Sequence, residues 1–358
     1  MRFINTIVEK RNLVVEKLNA CKKNGYKTYI IGNGEGASNI ENRFSNFVFD
    51  GRLVNRDYLQ FTNSRCPCLE EVLDETKEKI NLIIGCRGFR EEKLELWKSK
   101  IEIIVNLDCF SGNYWVDSEL MTYSFVNDNK DKIQKVFEMV EDDYSRHVLS
   151  AYINQKISMD YKYLRGMKTE NQYFEKDIIQ LTEDEVFVDC GAYIGDTALG
   201  FIKALKNRGI KSYNKIISFE PNPFNFEKLS NIGLINHICI NKCTSDSQGK
   251  LNFSIAGTSS GIKPSGEIIV EMDKLDNMII DKVSFLKMDV EGAELASLKG
   301  AEKLIKKNRP KLAICVYHKK EDLWEIIDFI EKLNLKYIFY LRVYEETATE
   351  LVLYAIPK

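Results

Sequence analysis

The residues best suited to chemistry lie in the second half of the chain, where apolar, strand-like runs end in polar or acidic groups four times in succession. Val186-Phe187-Val188 leads into Asp189-Cys190-Gly191-Ala192-Tyr193-Ile194-Gly195-Asp196-Thr197, and Ile216-Ile217-Ser218-Phe219 ends at Glu220-Pro221-Asn222. Val283-Ser284-Phe285-Leu286-Lys287-Met288 ends at Asp289-Val290-Glu291-Gly292, and Leu312-Ala313-Ile314-Cys315-Val316 ends at Tyr317-His318. In open parallel sheets, ligands bind outside the carboxyl ends of the strands, where the loops diverge. Gly191 and Gly195 let backbone approach a ligand closely, and the helix that follows offers free N–H groups at its start. Glu220, at the end of the next strand, has the form of an acid that accepts from both hydroxyls of a ribose. Together these positions describe a pocket for an adenosine-containing cofactor. The loop G-A-Y-I-G lacks the middle glycine of G-x-G-x-x-G, so a cofactor without phosphates fits better than a dinucleotide. S-adenosylmethionine qualifies, with Asp189 facing its ammonium. The competing reading is a tight strand-to-helix turn and nothing more.

Methyl transfer is an in-line displacement on a sulfonium, which requires alignment of acceptor, methyl and sulfur. A hydroxyl acceptor also needs a base. Asp289, Glu291, Glu294 and His318 are the candidates, all at or just after strand ends. Glu291 and Glu294, three apart, share a helix face, where they equally suit the positive end of the helix dipole. His318 reads either as a base or as a hydrogen-bonded structural histidine. Asp289 and Glu291 are also a pair that a divalent cation would suit. No metal site is assigned: Cys66-Pro67-Cys68 lacks the C-x₂₋₄-C spacing, and His147, His237 and His318 lie far apart in sequence.

The elements that must position these groups alternate between strand and helix. With 358 residues, two domains are the default. In the first half, Ile4, Ile7, Val8, Val14 and Leu18 recur at helical spacing up to Gly25. Strand candidates follow at 27–31, 47–49, 80–84 and 101–106, with a polar helical stretch from Arg90 to Lys98. This predicts a small parallel α/β domain over 1–127. Ile133, Val136, Phe137, Val140, Tyr144 and Val148 mark one face of a long amphipathic helix. It opens a helical connector over 128–180, and the second βα alternation occupies 181–358. Gly32-Asn33-Gly34-Glu35-Gly36-Ala37 with Asp50 resembles a short dinucleotide fingerprint, but only Ser38 to Arg43 remain for its helix. A degenerate domain for packing, dimerisation or substrate capture is the preferred reading. A live nucleotide site, and with it a nicotinamide-dependent oxidoreductase, is the alternative.

Lys plus Arg (51) nearly cancels Asp plus Glu (53), and no basic block gives long-range attraction for nucleic acid or anionic lipid. No stretch approaches the ~20 apolar residues of a membrane span, and the N-terminus lacks a signal-peptide pattern. Nine cysteines at irregular spacing suit a reduced, cytoplasmic setting. The abundance of Lys, Asn and Ile suggests an AT-rich bacterial genome.

The blocks V-F-V-D-C-G-A-Y-I-G-D-T (186–197), F-E-P-N (219–222) and F-L-K-M-D-V-E-G-A-E-L-A-S-L-K-G-A (285–301) resemble the FkbM family of S-adenosylmethionine-dependent methyltransferases. The resemblance covers about the last 180 residues, and D-V-E-G-A-E-L is its most specific part. It implies a class I methyltransferase fold, Rossmann-like, with a seven-stranded sheet whose last strand is antiparallel. A smaller Rossmann-like α/β domain would precede it, as in some relatives. The runs 337–341 and 351–356 agree, forming a terminal hairpin. By resemblance, Asp189, Gly191, Ala192, Tyr193, Gly195, Asp196 and Thr197 would hold the methionine part of S-adenosylmethionine. Glu220 would hold the ribose, Pro221 and Asn222 would lie beside the adenosine, and Ser245 and Asp246 would flank the base. Asp289 would lie beside the methyl group, with Glu291 and His318 as further catalytic candidates. The hairpin departs from the pattern in having Val343, not histidine, after Arg342. The expected activity is O-methylation of a saccharide or glycan precursor, with N-methylation of an amino group as the alternative. Expected partners are the small-molecule or glycan acceptor, a second copy through the N-terminal domain, or other glycan-pathway enzymes.

Overall fold

The computed structural model describes residues 2–59, 65–86, 89–107, 121–254, 261–262 and 268–358. The chain divides into two compact units. One comprises Val8–Tyr123 with Asn154–Tyr163, the other Met1–Ile7, Ser124–Ile153 and Leu164–Lys358. Residues 128–180, read from sequence as a connector, are shared between them. Among the described residues no helix is long and apolar enough to cross a membrane.

The first unit is built on four strands: β1 (Thr28–Ile31), β2 (Gly51–Leu53), β3 (Ile80–Ile84) and β4 (Ile101–Asn106). Their order is β2-β1-β3-β4, all parallel. Every residue of β3, the polar Asn81 included, is buried, as a strand in a sheet covered on both faces must be. Alternate side chains feed two cores: Ile30 and Ile83 on one face with Val14 and Leu18, Ile31, Leu82 and Ile84 on the other with Leu69. The predicted first helix is two pieces, a 3₁₀ turn Phe3–Thr6 and a helix Leu13–Asn24. Asn12 caps the latter through Val15 N, and Gly25 stops it at φ +75°. The stretch 90–98 is a 3₁₀ helix, Glu91–Lys100. The strand expected at 47–49 forms instead at β2, because Asp50 accepts from Thr28 N at 2.7 Å and sets the register there. Asp50 thus serves the sheet.

The second unit carries β5 (Val186–Cys190), β6 (Lys215–Phe219), β7 (His237–Ile240), a small insertion with β8 (Cys243–Thr244), β9 (Gly249–Ser254), β10 (Gly261–Ile262) and β11 (Ile268–Asp273), then β12 (Phe285–Met288), β13 (Lys311–Cys315), β14 (Tyr337–Val343) and β15 (Leu351–Pro357). Its main sheet has the order β14-β15-β13-β12-β5-β6-β7. Strand β15 runs antiparallel to both neighbours, and the other pairs are parallel. The expected seven-stranded sheet with an antiparallel last strand is therefore present. Strand order reverses between β5 and β12, which makes a crevice at their carboxyl ends. Phe187, Phe201 and Phe285 pack beneath it at centroid distances of 4.8 and 5.0 Å, and Phe174 joins them at 5.7–5.9 Å. The long helix expected around 133–148 breaks into Lys130–Met139 and Asp143–Ser158. Asp142 causes the break. It caps the second helix through Ser145 N (2.7 Å) and holds Arg342 at 2.6 Å, while Val140 forms a β-bridge with Phe339.

Candidate active site

The loop after β5 is shaped by one close approach. A Cβ on Gly191 (φ +78°) would lie 1.8 Å from the Asp289 carbonyl oxygen. Only glycine lets the ends of β5 and β12 meet. The Gly191 and Ala192 N–H groups donate to Phe219 O at 3.0 and 2.9 Å, which ties the turn to β6. Tyr193, at φ +48°, then turns its N–H to Glu220 Oε2 at 2.8 Å. Gly195 (φ +94°) caps the helix Asp196–Asn207, with Asp196 exposed on its first turn and Thr197 buried.

Glu220 is buried, and its Oε1 accepts from Asn222 N at 2.8 Å. Burial pushes its carboxyl up to about 7 against the pull of the Asn222 and Tyr193 N–H groups. Asn222 caps the helix Pro223–Ser230 through Phe224 N. Asn241 Nδ2 fixes the Glu220 and Pro221 carbonyls at 2.7 and 3.1 Å. Ser245 and Asp246 follow β8, with the Ser245 carbonyl against Gly300, where a Cβ would come within 1.8 Å. Asp246 is exposed.

Asp189 is fully buried and meets a protein ammonium, that of Lys287, at 3.0 Å. The two stand opposite one another in the β5–β12 register. Lys287 Nζ also donates to Gly191 O at 2.7 Å. Burial pushes the Asp189 carboxyl up to about 6, with Lys287 opposing. Lys287 itself stays charged: burial is outweighed by Asp189 and Asp289, and its pKa is raised.

The third group gathers at the ends of β12 and β13. Asp289 accepts from Tyr173 Oη at 2.8 Å and from Tyr317 Oη at 3.4 Å. Burial raises its carboxyl, but the charges of Lys287 and His318 and the Tyr173 hydroxyl hold it below the ordinary value. Glu291 (φ +54°) and Gly292 (φ +90°) form the turn that follows. Glu294 is fully buried, accepts from Val290 N at 2.9 Å and meets His318 Nδ1 at 2.9 Å. His318 Nε2 lies 3.7 Å from Asp289 Oδ1 and 3.5 Å from Glu291 Oε2. Burial alone would lower the imidazole, but Glu294, then Asp289 and Glu291, push it up to about 10. It is an imidazolium at neutral pH. Burial, opposed by His318 and reinforced by Asp289, pushes Glu291 up to about 8. Glu350 completes the corner, held by Gln172 Nε2 at 2.7 Å and pushed to about 8 by burial and Asp289. Asp289, Glu294 and His318 offer atoms within 4.8 Å of one another, as metal ligands would.

The fold therefore brings Gly191, Tyr193 and Glu220 into one cradle, and Asp289, Glu291 and His318 into one corner beside it. Sequence reasoning missed Lys287, Tyr173, Tyr317 and Glu350. The first had a signal: a lysine inside the apolar run F-L-K-M needs a buried partner acid. The connector tyrosine had none.

Residues 189–339 match the family model of the methyltransferase FkbM domain. The whole chain is similar in fold to a methyltransferase FkbM from Methylobacillus flagellatus KT, with a TM-score of 0.77 and 19% identity over 97% of this chain and 94% of that one. An rRNA methylase from Streptococcus thermophilus overlaps 52% of this chain and 95% of its own length at 13% identity and a TM-score of 0.33. No curated protein shows a significant sequence match. The seven-stranded unit, with its strand order, its glycine turn and its D-V-E-G-A-E-L corner, thus contains a segment, residues 189–339, that matches the methyltransferase FkbM domain.

Proposed function

We propose that this chain transfers a methyl group from S-adenosylmethionine to a hydroxyl of a saccharide or glycan precursor. The observation that carries the donor site is the joined cradle: the Gly191 turn and the Glu220 carboxylate are tied together by the Tyr193 N–H at 2.8 Å. Glu220 keeps a lone pair on each oxygen beyond its two backbone bonds, which suits the two hydroxyls of a ribose. Pro221 and Asn222 would lie beside the adenosine, with Ser245 and Asp246 flanking the base. Gly191, Ala192, Tyr193, Gly195, Asp196 and Thr197 would line the methionine part. Asp189 acts from beneath, through Lys287 and the loop that Lys287 holds. When bound, S-adenosylmethionine supplies a methyl group on a positively charged sulfur.

In this reading Glu291 takes the acceptor proton, since its carboxyl is pushed up to about 8 and it stands partly exposed on the turn after β12, next to Asp289. Asp289, held ionised, orients the acceptor. His318 keeps its own proton and serves as a fixed charge that steadies both. The acceptor class rests on likeness to the FkbM family. The surplus of carboxylates over Lys287 and His318 supports the second reading, a cationic amino group as acceptor. We assign the methyltransferase domain to 181–358, and the N-terminal α/β unit to packing, dimerisation or substrate capture. The eight cysteines among the described residues are free, which supports a cytoplasmic setting.

Calorimetry tests the donor. S-adenosylmethionine and its demethylated product should each bind the full chain, more tightly at pH 8 than at pH 6 as Glu220 ionises, and Glu220→Ala should remove the heat. Flat traces for both molecules on folded wild-type protein would overturn the reading. Mass spectrometry of surface glycans from a deletion strain, seeking a loss of about 14 Da, addresses the acceptor.

A further inference from the structure

The acceptor corner is completed from outside the segment that matches the family model. Tyr173 lies ahead of residues 189–339, yet its hydroxyl donates to Asp289 Oδ2 at 2.8 Å and its ring stands 5.1 Å from Lys287 Nζ. The residue is buried and anchored on its far side. Phe174 inserts into the aromatic core under β5 and β12, and its carbonyl accepts from Arg208 at 2.6 Å. Asn171 (φ +63°) and Tyr173 (φ +67°) both take left-handed backbone, and Phe174 N donates to Asn171 O at 2.8 Å. That turn drives Phe174 into the core and aims Tyr173 at the end of β12.

We propose that Tyr173 is a positioning residue of the methyl-transfer site, its phenol fixing the Asp289 carboxylate in one orientation toward the acceptor. The inference rests on the reading above that Asp289 borders the transferred methyl. The argument is geometric. Asp289 Oδ1 faces His318 and, at 3.4 Å, Tyr317. Oδ2 receives the shorter bond from Tyr173, so the carboxylate is gripped at both oxygens. A carboxylate bonded in this way does not rotate freely, and alignment is what an in-line transfer requires.

The test reads Asp289 directly and needs no acceptor. In the full chain labelled with [γ-¹³C]aspartate, the Asp289 carboxyl line is identified by its loss in Asp289→Asn. Its titration is then followed in wild type and Tyr173→Phe. The groups facing Asp289 are the cations Lys287 and His318 and the carboxyls Asp189, Glu291 and Glu350. The Cys315 thiol and the Tyr317 hydroxyl face it as well. None of these is altered by the substitution. Hydrogen bonding to the ionised form lowers a carboxyl pKa, so removing the Tyr173 hydroxyl should raise the Asp289 midpoint by about one pH unit or more. A ring that merely fills space gives an unchanged midpoint, and that result overturns the proposal. Site-specific 3-fluorotyrosine at 173 provides a second arm that keeps the whole side chain. Its more acidic phenol should move the midpoint down, and no movement there counts equally against the proposal. S-adenosylmethionine calorimetry on the same samples separates the two ideas: absent binding removes the functional reading, while the shift alone decides the role of Tyr173.

Discussion

Lys287 is buried against the Asp189 carboxylate, so Lys287→Met should expose how the floor of the cradle is held. In the native unit Lys287 and Asp189 are buried with 2% and 0% of their side chains exposed. What the ammonium gains from the pair, the carboxylate loses to burial: the Lys287 pKa is raised, and so is that of Asp189, to about 6. The intact pair therefore adds little net stability, as is common for buried ion pairs. Removing one partner is different. An uncompensated buried charge costs about 3–5 kcal/mol, and a unit of 150–250 residues melts about 2–4 °C lower per kcal/mol. The variant should melt roughly 6–20 °C below wild type at pH 7.5. The sign with pH follows from Asp189. Without Lys287 its folded-state pKa rises further above the unfolded value of 3.8, so the protonated form favours the fold. The penalty is full above the folded pKa and fades as pH falls below it. Melts by circular dichroism at pH 5.5 and 7.5 should thus show the gap closing in acid. A Lys287→Met chain melting within about 2 °C of wild type at pH 7.5, or a gap that does not change with pH, would refute the reasoning.

Gly191→Ala should lower both stability and donor affinity. Left-handed backbone costs about 1–2 kcal/mol, and displacing the Asp289 carbonyl adds about 1–3 kcal/mol. Calorimetry should find S-adenosylmethionine binding weakened by about tenfold or more. Methyl transfer to a hydroxyl should rise with pH, reach half its maximum at about pH 8 and level off above that as Glu291 ionises. Glu291→Gln should cost about 100- to 10,000-fold in turnover, measured by release of the demethylated product. A flat pH profile would remove Glu291 as the base.

Much of this was legible because strand ends have a compact signature. An apolar run that stops at an acid or a glycine marks where a parallel strand delivers its last side chain, and Asp189, Glu220, Asp289 and His318 all sit at such stops. What periodicity could not reveal is which of these groups face each other. From sequence Asp189 reads as a ligand contact and His318 as a base or a structural histidine, yet the first meets Lys287 across the sheet and the second is held by Glu294. Those facts depend on register and burial, which a single strand does not encode. The break at Asp142 was hidden for a related reason. The apolar spacing continues through Val140 and Tyr144, while the side chain that ends one helix and caps the next answers to Arg342, two hundred positions away.

The contact between Gly191 and the carbonyl of Asp289 has a mechanical consequence. With no atom's width between them, the loop after β5 and the turn after β12 are one welded joint, and neither can drift without dragging the other. Descendants of this scaffold that adopt new acceptors must then do so by rebuilding the pieces bolted on around that weld, such as the stretches bearing Tyr173 and Glu350, while the joint itself passes unaltered from one specificity to the next.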